Sequence, residues 1–217
     1  MNVYLIGQTL NPVTVCGEAA ATCTASDDYF GALRGAMAAG HMSVVEHACF
    51  TFRIEGVSRV LLAQLTRHRL ASFSVESQRY VKGSGLTAIV PDAIAADPGL
   101  AERFEQLQYA TTMFYNECLA RGIEAEDARY GLLQGGTTNL VMTMNVRELR
   151  HFLSLRCCNR AQWEIRHLAD RILQLCMEAA PDVFRGAGCA CMQGKPCPEG
   201  RKSCGRPRKL EDIYHER

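Results

Sequence analysis

The chain has 217 residues, 47% of them hydrophobic, and a formal net charge of +1. This length suits one domain with a sizeable core, and the near-neutral charge provides no global basic field for nucleic acid. No segment reaches the ~18 apolar residues of a membrane span, and residues 1–10 lack the basic region and long apolar run of a signal peptide. The sequence therefore predicts a cytoplasmic protein with neither a nucleic-acid nor a membrane partner.

Arginines and cysteines are conspicuous in this composition. Four lysines among the 24 basic residues leave twenty arginines, whose forked donors suit phosphate and carboxylate groups; a genome rich in G and C produces the same bias. In the cytoplasm the eleven cysteines are expected to stay reduced, which argues against a disulfide framework. Four of them lie in the C-terminal tail: Cys189, Cys191, Cys197 and Cys204.

The first half of the chain predicts strands and helices in irregular order. Residues 2–6 read as a short strand, and residues 29–39 as a helix that ends at Gly40. Residues 50–55 alternate between apolar and polar side chains, which indicates a half-buried strand that Gly56 interrupts. Ser58 can cap the next helix, which has apolar residues at helical spacing and carries three cations in or near its last turn: Arg67, His68 and Arg69.

The second half is predicted to be mostly helical. Gly83-Ser84-Gly85 predicts a turn, and residues 86–90 a strand that Pro91 ends. A long amphipathic helix is predicted over residues 100–120 and another helix over 124–134, followed by a strand over 139–144. Asn145 and Glu148 fit a capping box for a helix that reaches Arg156, and residues 160–180 form the last predicted helix. The predicted apolar row of the 100–120 helix comprises Leu100, Phe104, Leu107, Phe114 and Cys118.

This order of strands and helices has no regular βαβ rhythm, so the predicted fold class is α+β. The chain contains neither GxGxxG after a strand nor GxxxxGK[ST], which excludes the usual Rossmann and P-loop cradles for a nucleotide. From residue 186 the chain is rich in Gly, Pro, Cys and cations. We therefore divide it into a domain over residues 1–185 and a loop-like extension over 186–217.

Two arginine-rich stretches are candidates for an anion-binding site. RHRLASFSVESQRY, residues 67–80, places cations after a helix and hydroxyls in the following loop. Cations at a helix C-terminus are also favoured by the helix dipole, by ~0.3–1 kcal/mol each, so a solvated surface is the alternative. NVRELRHFLSLRCCNRAQWEIR, residues 145–166, contains five arginines, with Arg147 and His151 on one helix face.

Several motifs together resemble one known family. RHR followed by Ser-x-Arg resembles the signature of the flavin-dependent thymidylate synthases, the ThyX family. GHMSVVEHACFTFRI (40–54), QLTRHR (64–69), NVRELRHFLSLR (145–156) and AQWEIR (161–166) are similar to further motifs of that family in order and spacing. The similar segments cover residues 40–80 and 129–170, the greater part of the folded chain.

The resemblance implies an enzyme that methylates dUMP at carbon 5 to give dTMP. Methylenetetrahydrofolate would supply the carbon, and NADPH would reduce an FAD that then delivers hydride. The family has an α+β fold with a mixed or antiparallel sheet and long helices. It is usually a homotetramer whose active sites combine several subunits.

Matching motif positions imply the residues that bind each ligand. Arg156 corresponds to a family arginine near the pyrimidine ring, where a cation would stabilise developing negative charge, and it is the catalytic candidate. The implied dUMP ligands are Gln64, Arg67, Ser77, Gln78, Arg79, Arg129 and Arg156. The implied FAD contacts are His41, Ser43, Arg67, His68, Arg69, Val75, Asn145, Arg147 and His151. Val75 departs from the family, which often has Glu or Gln there, and the acid stands next to it at Glu76.

No protein nucleophile is expected. Ser77 lacks an evident base and acid partner, and no cysteine lies in the motif of the other thymidylate synthase class. The flavin would carry the chemistry instead. The tail cysteines (Cys189, Cys191, Cys197 and Cys204) can bind zinc as thiolates, but they contain no CxxC pair, so no metal is predicted.

Two other functions compete with this interpretation. A flavin-bound relative could methylate a uracil in RNA. An arginine-rich nucleic-acid-binding protein with a cysteine-rich tail would fit the arginines, but the net charge of +1 and the 7% aromatic content oppose it.

Overall fold

The computed structural model describes residues 1–81, 83 and 85–214. Over these residues, four strands form a sheet in the order β1-β2-β4-β3: β1 Asn2–Gln8, β2 Cys49–Ser58, β3 Ala71–Val75 and β4 Thr137–Asn145. The sheet is antiparallel, which confirms the predicted α+β class. Ser84 of the predicted turn and residues 215–217 of the predicted extension lie outside the described residues.

The helices connect these strands without a βαβ repeat. In chain order they are α1 Pro12–Thr24, α2 Tyr29–Ala38, α3 Arg59–Leu65, α4 Asp92–Ala95, α5 Pro98–Ala120, α6 Ala125–Ala128, α7 Val146–Arg156, α8 Trp163–Ala179 and α9 Pro181–Phe184. Among the residues that the structure covers, no helix is both long and apolar enough to cross a membrane.

Side-chain caps begin the helices that carry the predicted site. Ser58 Oγ accepts a hydrogen bond from the Leu61 N–H (3.0 Å) at the start of α3, and Asn145 Oδ1 accepts one from the Glu148 N–H (2.9 Å) at the start of α7. The sequence predicted both caps. Each cap stabilises its helix because it satisfies an N–H that has no partner within that helix.

The chain divides into two compact units. Unit 1 comprises residues 1–2, 54–67 and 74–140, and unit 2 comprises residues 3–53, 68–73 and 141 onward. In unit 1, Tyr115, Cys118 and Ala128 are buried together. In unit 2, the fully buried side chains include Phe50, Phe52, Leu149, Phe152 and Phe184, and the rings of Phe50 and Phe184 meet edge to face with centroids 5.3 Å apart.

Four predictions about elements are wrong. β2 does not end at Gly56 but continues through it to Ser58, with Gly56 at a φ of +65° that suits glycine. Residues 86–90 contribute only an isolated bridge between Ala88 and Gly136. The helix predicted over 124–134 is limited to α6 and a 3-10 turn over Arg129–Gly131, and α8 starts at Trp163 instead of residue 160.

The apolar row predicted on α5 is only partly buried. Cys118 is buried, whereas Leu100, Leu107 and Phe114 are each about half exposed, at 49%, 51% and 53%. The helical period was therefore predicted well, but the described residues cover the apolar face of α5 only in part.

Candidate active site

The predicted site residues are divided between the two units. Unit 1 contains the predicted dUMP ligands other than Arg156, and also Val75. Unit 2 contains Arg156 and the predicted FAD contacts other than Arg67 and Val75.

In unit 1, the loop after β3 holds the Ser-x-Arg motif. The backbone N–H of Arg79 donates to Ser77 Oγ (3.2 Å), so the hydroxyl stabilises the turn. Gln78 is buried between them, while the side chain of Arg79 is exposed. The side chain of Arg79 therefore points outward from a loop that buried Gln78 anchors.

Two of the predicted dUMP ligands, Arg79 and Arg129, both contact Glu126. Arg79 Nε lies 2.6 Å from Glu126 Oε2, and Arg129 Nε donates to the backbone carbonyl of Glu126 (3.0 Å). Both side chains of the Arg79–Glu126 pair are about half exposed, and exposed ion pairs contribute only ~0–1 kcal/mol. The Glu126 carboxylate is therefore held only weakly by Arg79.

A polar network braces the same loop. Arg59 Nη2 donates to the backbone carbonyl of Glu76 (3.1 Å), and the carboxylate of Glu76 accepts from Asn139 Nδ2 (2.6 Å). Asn139 Oδ1 in turn accepts from the Gly56 N–H (3.0 Å). Glu76 is thus engaged within unit 1, beside the departure from the family at Val75. Arg59 was not among the predicted site residues, although it lies immediately after the Ser58 cap.

Unit 2 contains a linear array of three polar side chains around His68. His68 and Glu148 are both buried, with His68 Nδ1 3.2 Å from Glu148 Oε1. On the other side of the ring, Arg156 Nε donates to His68 Nε2 (3.1 Å). The ring also packs edge to face against Phe152, with centroids 5.1 Å apart.

This array determines the protonation of His68. An arginine cannot accept a hydrogen bond, so His68 Nε2 must be the acceptor and the proton must lie on Nδ1, which donates to Glu148. Burial, and then the positive charge of Arg156, lower the pKa of His68 below its usual 6.5, against the opposing effect of Glu148. The imidazole is therefore neutral, and it holds the Arg156 guanidinium by its Nε–H.

The remaining predicted FAD contacts in unit 2 are mostly accessible. His41, Ser43, Arg69, Arg147 and His151 are exposed, and Arg147 forms an ion pair with Glu46. Asn145 caps α7 through Oδ1, so its amide nitrogen is the group it can offer to a ligand. His68 differs from all of these, since it is buried and both of its ring nitrogens are engaged.

Two arginines of the 145–166 cluster hold the chain's C-terminal part in place. Arg150 donates from Nη1 to the carbonyls of Val183 (2.8 Å) and Arg185 (3.2 Å), and Arg160 donates to the carbonyl of Lys202. Burial lowers the pKa of Arg150, as expected for a cation that serves packing. Neither arginine was among the predicted ligands.

The tail is more firmly attached than the predicted loop-like extension. Arg208 and Asp170 are both buried and form a two-pronged ion pair with both N–O distances 2.9 Å. Arg208 Nη1 also donates to the Cys157 carbonyl (2.9 Å). Among the described residues, no group of three or more His, Cys, Asp or Glu side chains is placed to hold a metal ion.

Comparisons with known proteins agree with the motifs. The model of the family described as "Thymidylate synthase complementing protein" matches residues 4–182. The flavin-dependent thymidylate synthase of Geobacter sulfurreducens is 42% identical over 230 residues, covering 100% of this chain and 99% of the relative. The enzyme of the same name from Clostridium tetani is 36% identical over 244 residues, covering 99% and 97%.

Solved structures show the same fold. The UMP/dUMP methylase PolB from Streptomyces cacaoi, bound with 5-Br dUMP, has a TM-score of 0.74 at 26% identity, covering 84% of this chain and 92% of PolB. The flavin-dependent thymidylate synthase ThyX from Helicobacter pylori, complexed with FAD and dUMP, has a TM-score of 0.68 at 27% identity, covering 87% and 100%.

The fold and the matched family define a thymidylate-synthase-type enzyme. More specifically, the chain belongs to the flavin-dependent thymidylate synthase family. The family resemblance and the enzyme class expected from the sequence motifs are thereby confirmed.

Proposed function

We propose that the protein methylates carbon 5 of dUMP to give dTMP with bound FAD, methylenetetrahydrofolate as the carbon donor and NADPH as the reductant. Similarity over the whole length to flavin-dependent thymidylate synthases supports the reaction, and a related structure that binds FAD and dUMP supports the ligands. Within this chain, the observation that carries the proposal is the Arg156 guanidinium oriented by a buried, neutral histidine.

The dUMP phosphate is proposed to bind at the loop after β3. Arg79 and Arg129 supply cations that already meet at Glu126, and Ser77 supplies a hydroxyl. Gln64, at the end of α3, is proposed to hydrogen-bond the base. Arg67, just after α3, is proposed to bind the anionic groups. Gln78 completes the proposed set as a buried residue of the same loop.

The FAD is proposed to bind mainly to unit 2. The exposed cations Arg69 and Arg147 fit its pyrophosphate, and His41, Ser43 and His151 fit its polar edges. Bound FAD would supply the hydride chemistry. Arg67, Val75, His68 and Asn145 complete the proposed set, with His68 acting through Arg156.

The role proposed for Arg156 follows from its surroundings. Burial lowers its pKa without removing its charge, so the cation is partly shielded from water. Fixed cations in such sites stabilise negative charge that develops in a transition state, and here that charge would lie on the pyrimidine ring. Because His68 holds the Nε edge, the guanidinium plane is set before substrate arrives.

We also propose that the enzyme assembles as a homotetramer in the cytoplasm. The half-exposed Leu100, Leu107 and Phe114 of α5 form an apolar row that a second copy could cover. All eleven cysteines are free thiols, the state that a reducing cytoplasm maintains.

The test begins with the purified protein loaded with FAD. dUMP-dependent oxidation of NADPH and formation of dTMP support the proposal, whereas turnover with UMP or an RNA uracil and not with dUMP contradicts it. Arg156→Ala is expected to keep the flavin absorbance and lose about 10²–10³-fold in kcat. The matched control is Arg121→Ala, which is expected to retain activity. Arg121 is an exposed arginine just after α5 that pairs with Glu117.

A further inference from the structure

A cavity of about 280 Å³ in unit 2 brings cysteines of the tail next to Arg156. Arg156, at the end of α7, and Cys158, just after it, line one part of the cavity. The tail residues Cys189, Cys191 and Cys197 line another part. The proposed reaction uses no thiol, so this concentration of cysteines beside the proposed catalytic cation has no role in it.

Two of these thiols are in contact. The Sγ atoms of Cys189 and Cys191 are 3.4 Å apart, on either side of Ala190 at the start of a 3-10 turn over Ala190–Gln193. A disulfide bond needs about 2.05 Å between the sulfurs and Cα atoms within about 7 Å of each other. Residues two apart in the chain satisfy the second condition, so side-chain rotation with small backbone adjustment can satisfy the first.

The surroundings make the two thiols unequal. Burial raises the pKa of Cys189 to about 12. Partial burial also opposes ionisation of Cys191, but hydrogen bonds from the Arg208 backbone N–H (3.3 Å) and from Cys189 outweigh it and lower the pKa of that thiol. The Arg208 donor is held in place, because the Arg208 side chain is fixed by Asp170.

We propose that Cys189 and Cys191 are a redox-active dithiol that a low-molecular-weight disulfide oxidises to an intramolecular disulfide. The half-buried Cys191 is the attacking thiol, and the buried Cys189 is the resolving thiol. Arg156 lines the same cavity, so formation of the disulfide would alter the lining of the cavity next to the proposed catalytic cation.

The reaction proceeds in two exchange steps. The Cys191 thiolate attacks one sulfur of the small disulfide, forming a mixed disulfide and releasing one thiolate, which takes a proton from solvent. Cys189 then loses its proton and attacks Cys191 Sγ, which forms the Cys189–Cys191 bond and releases the second thiolate. The protein dithiol loses two electrons, and the small disulfide leaves as two thiols.

Oxidised glutathione is the probe for the test. The full-length, reduced protein is treated with it, the remaining thiols are alkylated, and trypsin is expected to release residues 186–201 as one peptide that contains Cys189, Cys191 and Cys197. Fragmentation should show a Cys189–Cys191 disulfide and an alkylated Cys197. The disulfide should form about tenfold faster than Cys23, an exposed thiol of α1, is modified.

Variants separate the two roles. Cys189→Ser should accumulate glutathione on Cys191, Cys191→Ser should prevent the disulfide, and Cys23→Ser should behave like the wild type. The proposal is overturned if the peptide map of the oxidised wild-type protein shows a Cys191–Cys197 disulfide. It is also overturned if Cys191 reacts no faster than Cys23. Both outcomes are read from the wild type, so they do not depend on the folding of any variant. The measurement reads thiols alone, so its result is independent of whether the protein forms dTMP.

Discussion

His68→Phe tests whether His68 acts on catalysis through Arg156. Phenylalanine retains a ring that can pack against Phe152 but removes both nitrogens. The Glu148 carboxylate would then stay buried without the His68 N–H, and a buried acceptor left without its donor costs about 1–3 kcal/mol, or more when the acceptor is charged. Arg156 Nε would lose its fixed acceptor. A misplacement of about 1 Å at a reacting group costs about 10²-fold in rate, so we expect kcat to fall by about 10–100-fold.

The assay combines thermal unfolding with steady-state kinetics at saturating FAD. Adding Glu148→Leu to His68→Phe should recover much of the stability, because it removes the buried charge, but should not restore kcat. In an Arg156→Lys background, His68→Phe should add little to the kinetic loss, since the two residues act as one unit. Unchanged kcat in folded His68→Phe protein would refute the positioning role.

The pH dependence of stability provides a second readout of the same residue. Because the folded-state pKa of His68 lies below 6.5, the unfolded chain binds this proton first as the pH falls. The wild type should therefore lose stability as the pH falls through 6.5 towards the folded-state pKa. His68→Phe should lack that contribution, whereas an identical acid dependence in both proteins would contradict the assignment of a buried neutral histidine.

Two further predictions concern the framework of the site. Arg208→Met removes the cation from buried Asp170 and should lower the free energy of unfolding by about 3–5 kcal/mol, which corresponds to about 6–20 °C in Tm. Adding Asp170→Leu should recover the lost stability. An equal loss in the single and the double variant would refute the electrostatic cause. Arg59→Leu removes the donor to the Glu76 carbonyl and should raise KM for dUMP about tenfold, equivalent to about 1.4 kcal/mol. An unchanged KM would show that the loop after β3 needs no such brace.

Local signals in the sequence predicted the elements whose causes are local. Ser58 and Asn145 cap their helices through N–H groups three residues ahead, and the alternation of residues 50–55 lies within a real strand. The helix α1 was not predicted, because its buried residues are Pro12, Gly17 and small residues such as Ala20 rather than large apolar ones at helical spacing.

Errors occurred where a distant residue decides the local structure. Gly56 stays in its strand with a hydrogen bond to Asn139, 83 residues away, which no local pattern indicates. The described part of the tail has only short 3-10 turns, in agreement with the predicted loop-like extension, but its attachment through buried Arg208 to Asp170 has no local signal. The amphipathic pattern of α5 predicted an apolar face, and half-exposed Phe114 shows that periodicity reveals such a face without showing what covers it.

The sequence by itself determined the family, because short motifs with specific spacing carry the resemblance. It also determined the α+β class, because the strands and helices follow one another without a βαβ rhythm. The same motifs predict the site residues. Only the tertiary structure decided that the predicted site residues His68 and Arg156 share a hydrogen bond, and that Glu148, predicted only as a capping residue, holds the other ring nitrogen. His68 lies 80 residues from Glu148 and 88 from Arg156, so its burial, its neutral state and the position of its proton depend on contacts that only folding creates.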